Sequence, residues 1–231
     1  MRAIQAGRRR SVPIAVLVAT LLCGLLVALT AGRQAQAAPG HGHGHAGALP
    51  THAQVTFHDQ MRKLWEDHVT WTRLAIVTFA DGSNGFAATA DRLLQNQEDI
   101  GDAVVPFYGP AAGEQLTALL HDHITIAVEL LQAAKAGDTA AFDDANTRWY
   151  DNAEQIAAFL AAANPRFWPV DVLRDAMKTH LDQTLAEASA ELQGDYPTSV
   201  AIYEEIHHHI LDMADLLSSG IMQQFPDRFR H

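Results

Sequence analysis

The chain has 231 residues, with 16 Lys and Arg against 27 Asp and Glu, a formal charge of −11, 13 histidines and one cysteine. That length allows one domain, or two small ones, with a sizeable core. A hydrophobic fraction of 48% and a mean hydropathy of −0.06 exclude a wholly disordered chain and a polytopic membrane protein. The acidic balance argues against a nucleic-acid partner, because such a surface repels phosphates.

Residues 1–37 read as a secretory signal. Arg8, Arg9 and Arg10 supply the positive start, Val12 to Thr30 is almost wholly apolar, and Ala35-Gln36-Ala37 is a small-x-small cleavage pattern. The competing reading is an uncleaved anchor, which would put the protein at a membrane. Cleavage after Ala37 leaves 194 residues with 11 basic against 27 acidic side chains, and Cys23 departs with the signal. The expected location is therefore secreted or periplasmic, with no thiol for disulfides, Cys-zinc sites or cysteine nucleophiles.

Residues 38–54 (APGHGHGHAGALPTHAQ) read as a flexible tail. His41, His43 and His45 alternate with small residues, a pattern that suits Cu(II), Ni(II) or Zn(II). A plain spacer is the alternative.

From Val55 onward apolar residues recur at helical spacing, and the breakers predict six helices over 55–80, 85–107, 111–136, 139–163, 168–193 and 197–224. The expectation is an all-α antiparallel bundle over 55–231, built from three helical hairpins. His68, His123 and His180 are each followed fourteen residues later by a glycine (Gly82, Gly137, Gly194) and preceded by apolar residues at −7, −4 and −3. The returning segments RLLQNQEDIGDAV (92–104), RWYDNAEQIAAFL (148–160) and EIHHHILDMADLL (205–217) align without a gap, placing Asn96, Asn152 and His209 in one slot.

Equal contour up and down each hairpin predicts three inward pairs: His68–Asn96, His123–Asn152 and His180–His209. Buried imidazoles and amides need partners, so each pair reads either as a clasp fixing hairpin register or as part of a metal site. Asn is a poor ligand for transition metals. His180 and His209 are therefore the preferred metal residues of the body, with copper favoured and zinc possible. Glu204, His208 and Asp212, spaced i, i+4, i+8, form a weaker surface stripe.

Catalytic patterns are incomplete. Glu204-x-x-His207 and Glu205-x-x-His208 have no second copy for a carboxylate-bridged di-iron bundle. No Cys-x-x-Cys-His exists for covalent haem, though a non-covalent bis-histidine haem stays open. G-x-S-x-G, H-E-x-x-H and a glycine-rich phosphate loop are all missing.

The stretches LWEDHVTWTR (64–73), LLQNQEDIG (93–101), PFYGPAAGEQLTALLHDHI (106–124) and MADLLSSGIMQQFP (213–226) resemble a family of exported bacterial helical proteins. That resemblance implies export and an all-α fold, and carries over no activity and no site residue. The sequence thus points to an exported, non-catalytic bundle that binds copper or zinc. Its first alternative is a cell-envelope structural or interaction module with a protein partner. A haem or di-metal oxidoreductase ranks third.

Overall fold

A computed structural model describes residues 49–230 of the protein. The expected signal and His41, His43 and His45 lie outside the described residues. The chain forms six helices: α1 His52–Ala80, α2 Phe86–Tyr108, α3 Pro110–Ala136, α4 Thr139–Ala163, α5 Val170–Leu192 and α6 Tyr196–Gln224. A 3₁₀ turn, Pro226–Phe229, follows. The all-α class and the six helices agree with the sequence reading. Each helix packs on its sequence neighbours, and α6 returns to pack on α1, which closes the bundle. Among the described residues, no helix is long and apolar enough to cross a membrane.

The first helix begins earlier than expected. Thr51 forms a capping box with Gln54, so 52–54 belong to α1 and not to the tail. The Thr51 hydroxyl also donates to the Phe229 carbonyl at 2.6 Å, tying the start of α1 to the end of the chain.

The three turns at the predicted glycines are built alike. Gly82, Gly137 and Gly194 have φ of +66°, +70° and +75°. In each, the glycine N–H reaches the carbonyl three residues back, and the following N–H reaches the one five residues back. This closure satisfies the last carbonyls of an odd-numbered helix and needs a left-handed residue. Asp138 and Asp195 then cap α4 and α6 from the very next position.

The hairpin alignment also describes the core. Met61/Leu116/Leu173 and Trp65/Leu120/Met177 on the odd helices are buried, as are Ile100/Ile156/Met213 and Val104/Leu160/Leu217 on the even ones. Gly101, Ala157 and Ala214 share one buried slot, where small side chains let neighbouring helices approach. Three copies of one helix-turn-helix unit therefore close around a common axis.

Candidate functional site

His68, His123 and His180 come from α1, α3 and α5 and are 3%, 3% and 4% exposed. Their equal distance from equivalent turns places all three at one level of the bundle. The ring centres of His68 and His180 are 5.6 Å apart. His123 stacks on Trp149, with 5.2 Å between ring centres. Sequence alignment pairs residues within a hairpin, so it missed this convergence between hairpins.

The aligned residue of each even helix has a shared task. Asn96 Nδ2 donates to the Leu64 carbonyl at 3.0 Å, Asn152 Nδ2 to Leu119 at 3.0 Å, and His209 Nε2 pairs with the Ala176 carbonyl at 2.9 Å. Leu64, Leu119 and Ala176 each stand four residues before the histidine of their helix. The three mates therefore lie at equivalent depth and hold equivalent carbonyls.

The expected imidazole–mate contact is made in only one hairpin. His123 Nδ1 meets Asn152 Oδ1 at 2.8 Å. Because the Asn152 amide nitrogen is spent on Leu119, Nδ1 of His123 carries the proton and Nε2 does not. His68 Nδ1 instead meets Gln97 Nε2 at 3.2 Å. Gln97 also donates to the Leu93 carbonyl at 2.8 Å and to Asn96 Oδ1 at 3.3 Å. His180 Nδ1 is buried with no hydrogen-bond partner. His209 is half-buried and turned to its backbone acceptor, which corrects the expected His180–His209 half-site: the imidazole that packs beside His180 is His68.

Burial holds these imidazoles neutral. It pushes His68 down to about 3, with a further push from His123. It pushes His123 down to about 4, against an upward pull from the Asn152 hydrogen bond. His180 falls well below its ordinary value through burial and then through His68, His123 and His209.

Above this layer, toward the glycine turns, lies a cavity of about 50 Å³. Thr72, Ala127 and Thr184 line it from four residues after the histidines, and Ile76, Leu131 and Ala188 from eight after. The Thr72 and Thr184 hydroxyls are turned to the carbonyls of His68 and His180, at 2.8 Å each, so the chamber presents an apolar lining.

A second buried polar group joins α1, α5 and α6 nearby. Arg73 Nη1 meets Glu187 Oε1 at 2.5 Å and donates to Ser199 Oγ at 2.9 Å. Ser199 donates to Glu191 Oε2 at 2.6 Å. Two buried carboxylates thus share one guanidinium. Burial, outweighing Arg73 and aided by Glu191, pushes Glu187 up to about 7. The signal was available: Glu187 and Glu191 continue the inward stripe of α5, seven and eleven residues after His180.

Glu204, His208 and Asp212 are exposed on α6, as the stripe predicted. Among the described residues, no group of three or more His, Cys, Asp or Glu side chains stands in a metal-holding arrangement. The chain matches no family model, no curated protein and no solved structure.

Proposed function

We propose that this protein is an exported, non-catalytic bundle that binds a transition-metal ion, copper before zinc, at its axial imidazoles. The observation that carries the reading is His180 Nδ1, a buried donor or acceptor without a partner, set 5.6 Å ring to ring from His68. Each orphaned buried polar atom costs free energy, and of the seven among the described residues His180 Nδ1 is the one that belongs to an imidazole. Two imidazoles bound to one ion at about 2.0–2.1 Å place their ring centres about 5–6 Å apart, so the helices already have a suitable spacing. The rings are not yet aimed at a common point, and loading requires them to turn. All three are neutral, the form that binds metal. The histidines of residues 41–45 would act as a second capture site.

The test is calorimetric titration of the full chain carrying His41→Ala, His43→Ala and His45→Ala. Binding tighter than millimolar that disappears with His180→Ala supports the reading, and no binding ends it.

A second reading has its own observation. Three mates holding three equivalent carbonyls are a register device, which suits an envelope structural or interaction module. On that reading, His180→Ala lowers stability and changes no ligand affinity.

A further inference from the structure

We propose that the apolar chamber above the imidazole layer binds a small, neutral, nonpolar molecule, a dissolved gas or light hydrocarbon of about two or three heavy atoms. The site uses no imidazole as a ligand, so it stands apart from the metal-binding reading.

The third repeat leaves the space. Eight residues after the axial histidines, α1 and α3 carry Ile76 and Leu131, whereas α5 carries only Ala188. One position earlier, Ala75 and Leu130 line the chamber, but the matching Glu187 is drawn away to Arg73. Ile76, Leu131 and Ala188 form a small apolar cluster of their own, separate from the main core. Leu130 and Trp149, which also line the chamber, belong to the main core. The chamber is where these two clusters fail to interdigitate.

The lining selects against polarity. No polar surface faces into the chamber. Its two wall hydroxyls, on Thr72 and Thr184, donate to helix carbonyls at 2.8 Å each. A buried water needs several polar partners and would find none here. A charged or hydrogen-bonding guest would lose its hydration and gain nothing in exchange. A nonpolar guest leaves water and gains dispersion contacts with the wall around it.

Volume sets the size of the guest. An apolar chamber of about 150 Å³ lined by Leu, Ile and Phe takes benzene or xenon. A chamber of about 50 Å³ therefore suits one large atom or about two or three small ones. Phe86, Val128 and Leu185 are half-buried members of the wall, so entry requires side chains to turn and no helix to part. Trp149 both lines the chamber and stacks on His123, so its indole reports occupancy.

The experiment uses the full chain with isotope-labelled Ile, Leu and Val methyl groups, read by NMR under rising xenon pressure. Ethylene, methanol and benzene are then titrated in turn. Xenon and ethylene should give saturable shifts at the Ile76, Ile124 and Leu131 methyls and at the Trp149 indole, all of which line the chamber. Ile206, Ile210 and Ile221 are as deeply buried but outside its lining, and should not move. Ala188→Val fills the space and should abolish the shifts while leaving Tm unchanged or higher. Ala127→Val does the same from α3, and confinement of the shifts in the unsubstituted chain decides the matter if neither variant folds. Shifts that do not saturate, or that reach the α6 isoleucines equally, overturn the site. So do shifts that persist in a folded Ala188→Val or Ala127→Val protein. Methanol binding as tightly as ethylene overturns the selection against polarity, and benzene binding as tightly overturns the limit on size. The metal titration succeeds or fails independently of all these outcomes.

Discussion

Asn152 accepts from His123 Nδ1 at 2.8 Å and, through its amide nitrogen, donates to the Leu119 carbonyl at 3.0 Å. Truncation to alanine leaves buried His123 Nδ1 unpaired and also removes a second bond to the Leu119 carbonyl, which keeps its intrahelical partner. Each buried polar group left unpaired costs about 1–3 kcal/mol, so Asn152→Ala should lose about 2–4 kcal/mol. His209→Ala removes a single contact to the Ala176 carbonyl from a half-buried side chain and should cost about 1 kcal/mol. Urea denaturation of both variants measures the difference. Equal losses would mean that the imidazole–amide bond contributes nothing.

Acid should open the metal-free protein. His68 and His123 are held at about 3 and about 4 in the fold, and His180 is lowered as well, against an ordinary 6.5. A base whose folded pKa is depressed is protonated first in the unfolded chain. The stability it supports is complete above 6.5 and is lost as pH falls toward the folded value. His68 and His123 each lose roughly 1.4 kcal/mol per pH unit in that window and His180 acts in the same direction, so together they remove much of a typical domain's reserve by about pH 4.5. Melting temperature measured from pH 7.5 to 4.5 with a chelator present should fall steeply below pH 6. A flat profile would show that the layer is hydrated or already charged.

The hairpins were legible because a helix records its buried face every three to four residues, and because Gly82, Gly137 and Gly194 must be left-handed. Mate depth was legible for the same reason, since equal contour on both sides of a turn fixes height. The meeting of His68 with His180 was not, because no local spacing states how three hairpins rotate about their common axis. Gln97 was missed for a narrower reason. It occupies the slot filled by Ala153 and Ile210 in the other repeats, so the alignment marked it as a packing position, and only the fold sets its amide beside His68. The start of α1 was read late because Pro50 and the preceding glycines masked the Thr51–Gln54 box.

The Arg73 group should show the opposite pH sign. Burial outweighs Arg73 and, with Glu191, lifts Glu187 from 4.5 to about 7. An acid raised in the fold keeps its proton there after the unfolded chain has released its own. The stability this gives is complete below about 4.5 and is lost as pH climbs to about 7, on the order of 3 kcal/mol across the window. Glu187→Gln should therefore stabilise the protein at pH 8 and change little at pH 4.5. Arg73→Met leaves two buried carboxylates without their cation and should cost about 3–5 kcal/mol at pH 8. Thermal melts at the two pH values separate these outcomes. A Glu187→Gln variant weakened most at pH 8 would mean that the ion pair, and not its burial, dominates.

Two glycines should tolerate alanine worse than the turn glycines do. A Cβ on Gly101 would lie 1.9 Å from Thr117 Oγ1 and 2.9 Å from the Gly113 carbonyl oxygen. The hydroxyl can rotate away, but the carbonyl belongs to the facing backbone of α3, so α2 and α3 must part. On Gly220 a Cβ would lie 2.0 Å from Trp168 Nε1, within an indole that is 1% exposed and donates to the Leu216 carbonyl at 3.3 Å. Neither ring nor helix can yield without opening the core, and overpacking of this kind costs about 1–3 kcal/mol or more. Gly82 meets nothing within 4 Å, so Gly82→Ala pays only for its φ of +66°, about 1–2 kcal/mol. Chemical denaturation should rank Gly101→Ala and Gly220→Ala as the more damaging pair. The reverse order would mean that α2 and α3, or Trp168 and α6, are less closely seated than their distances state.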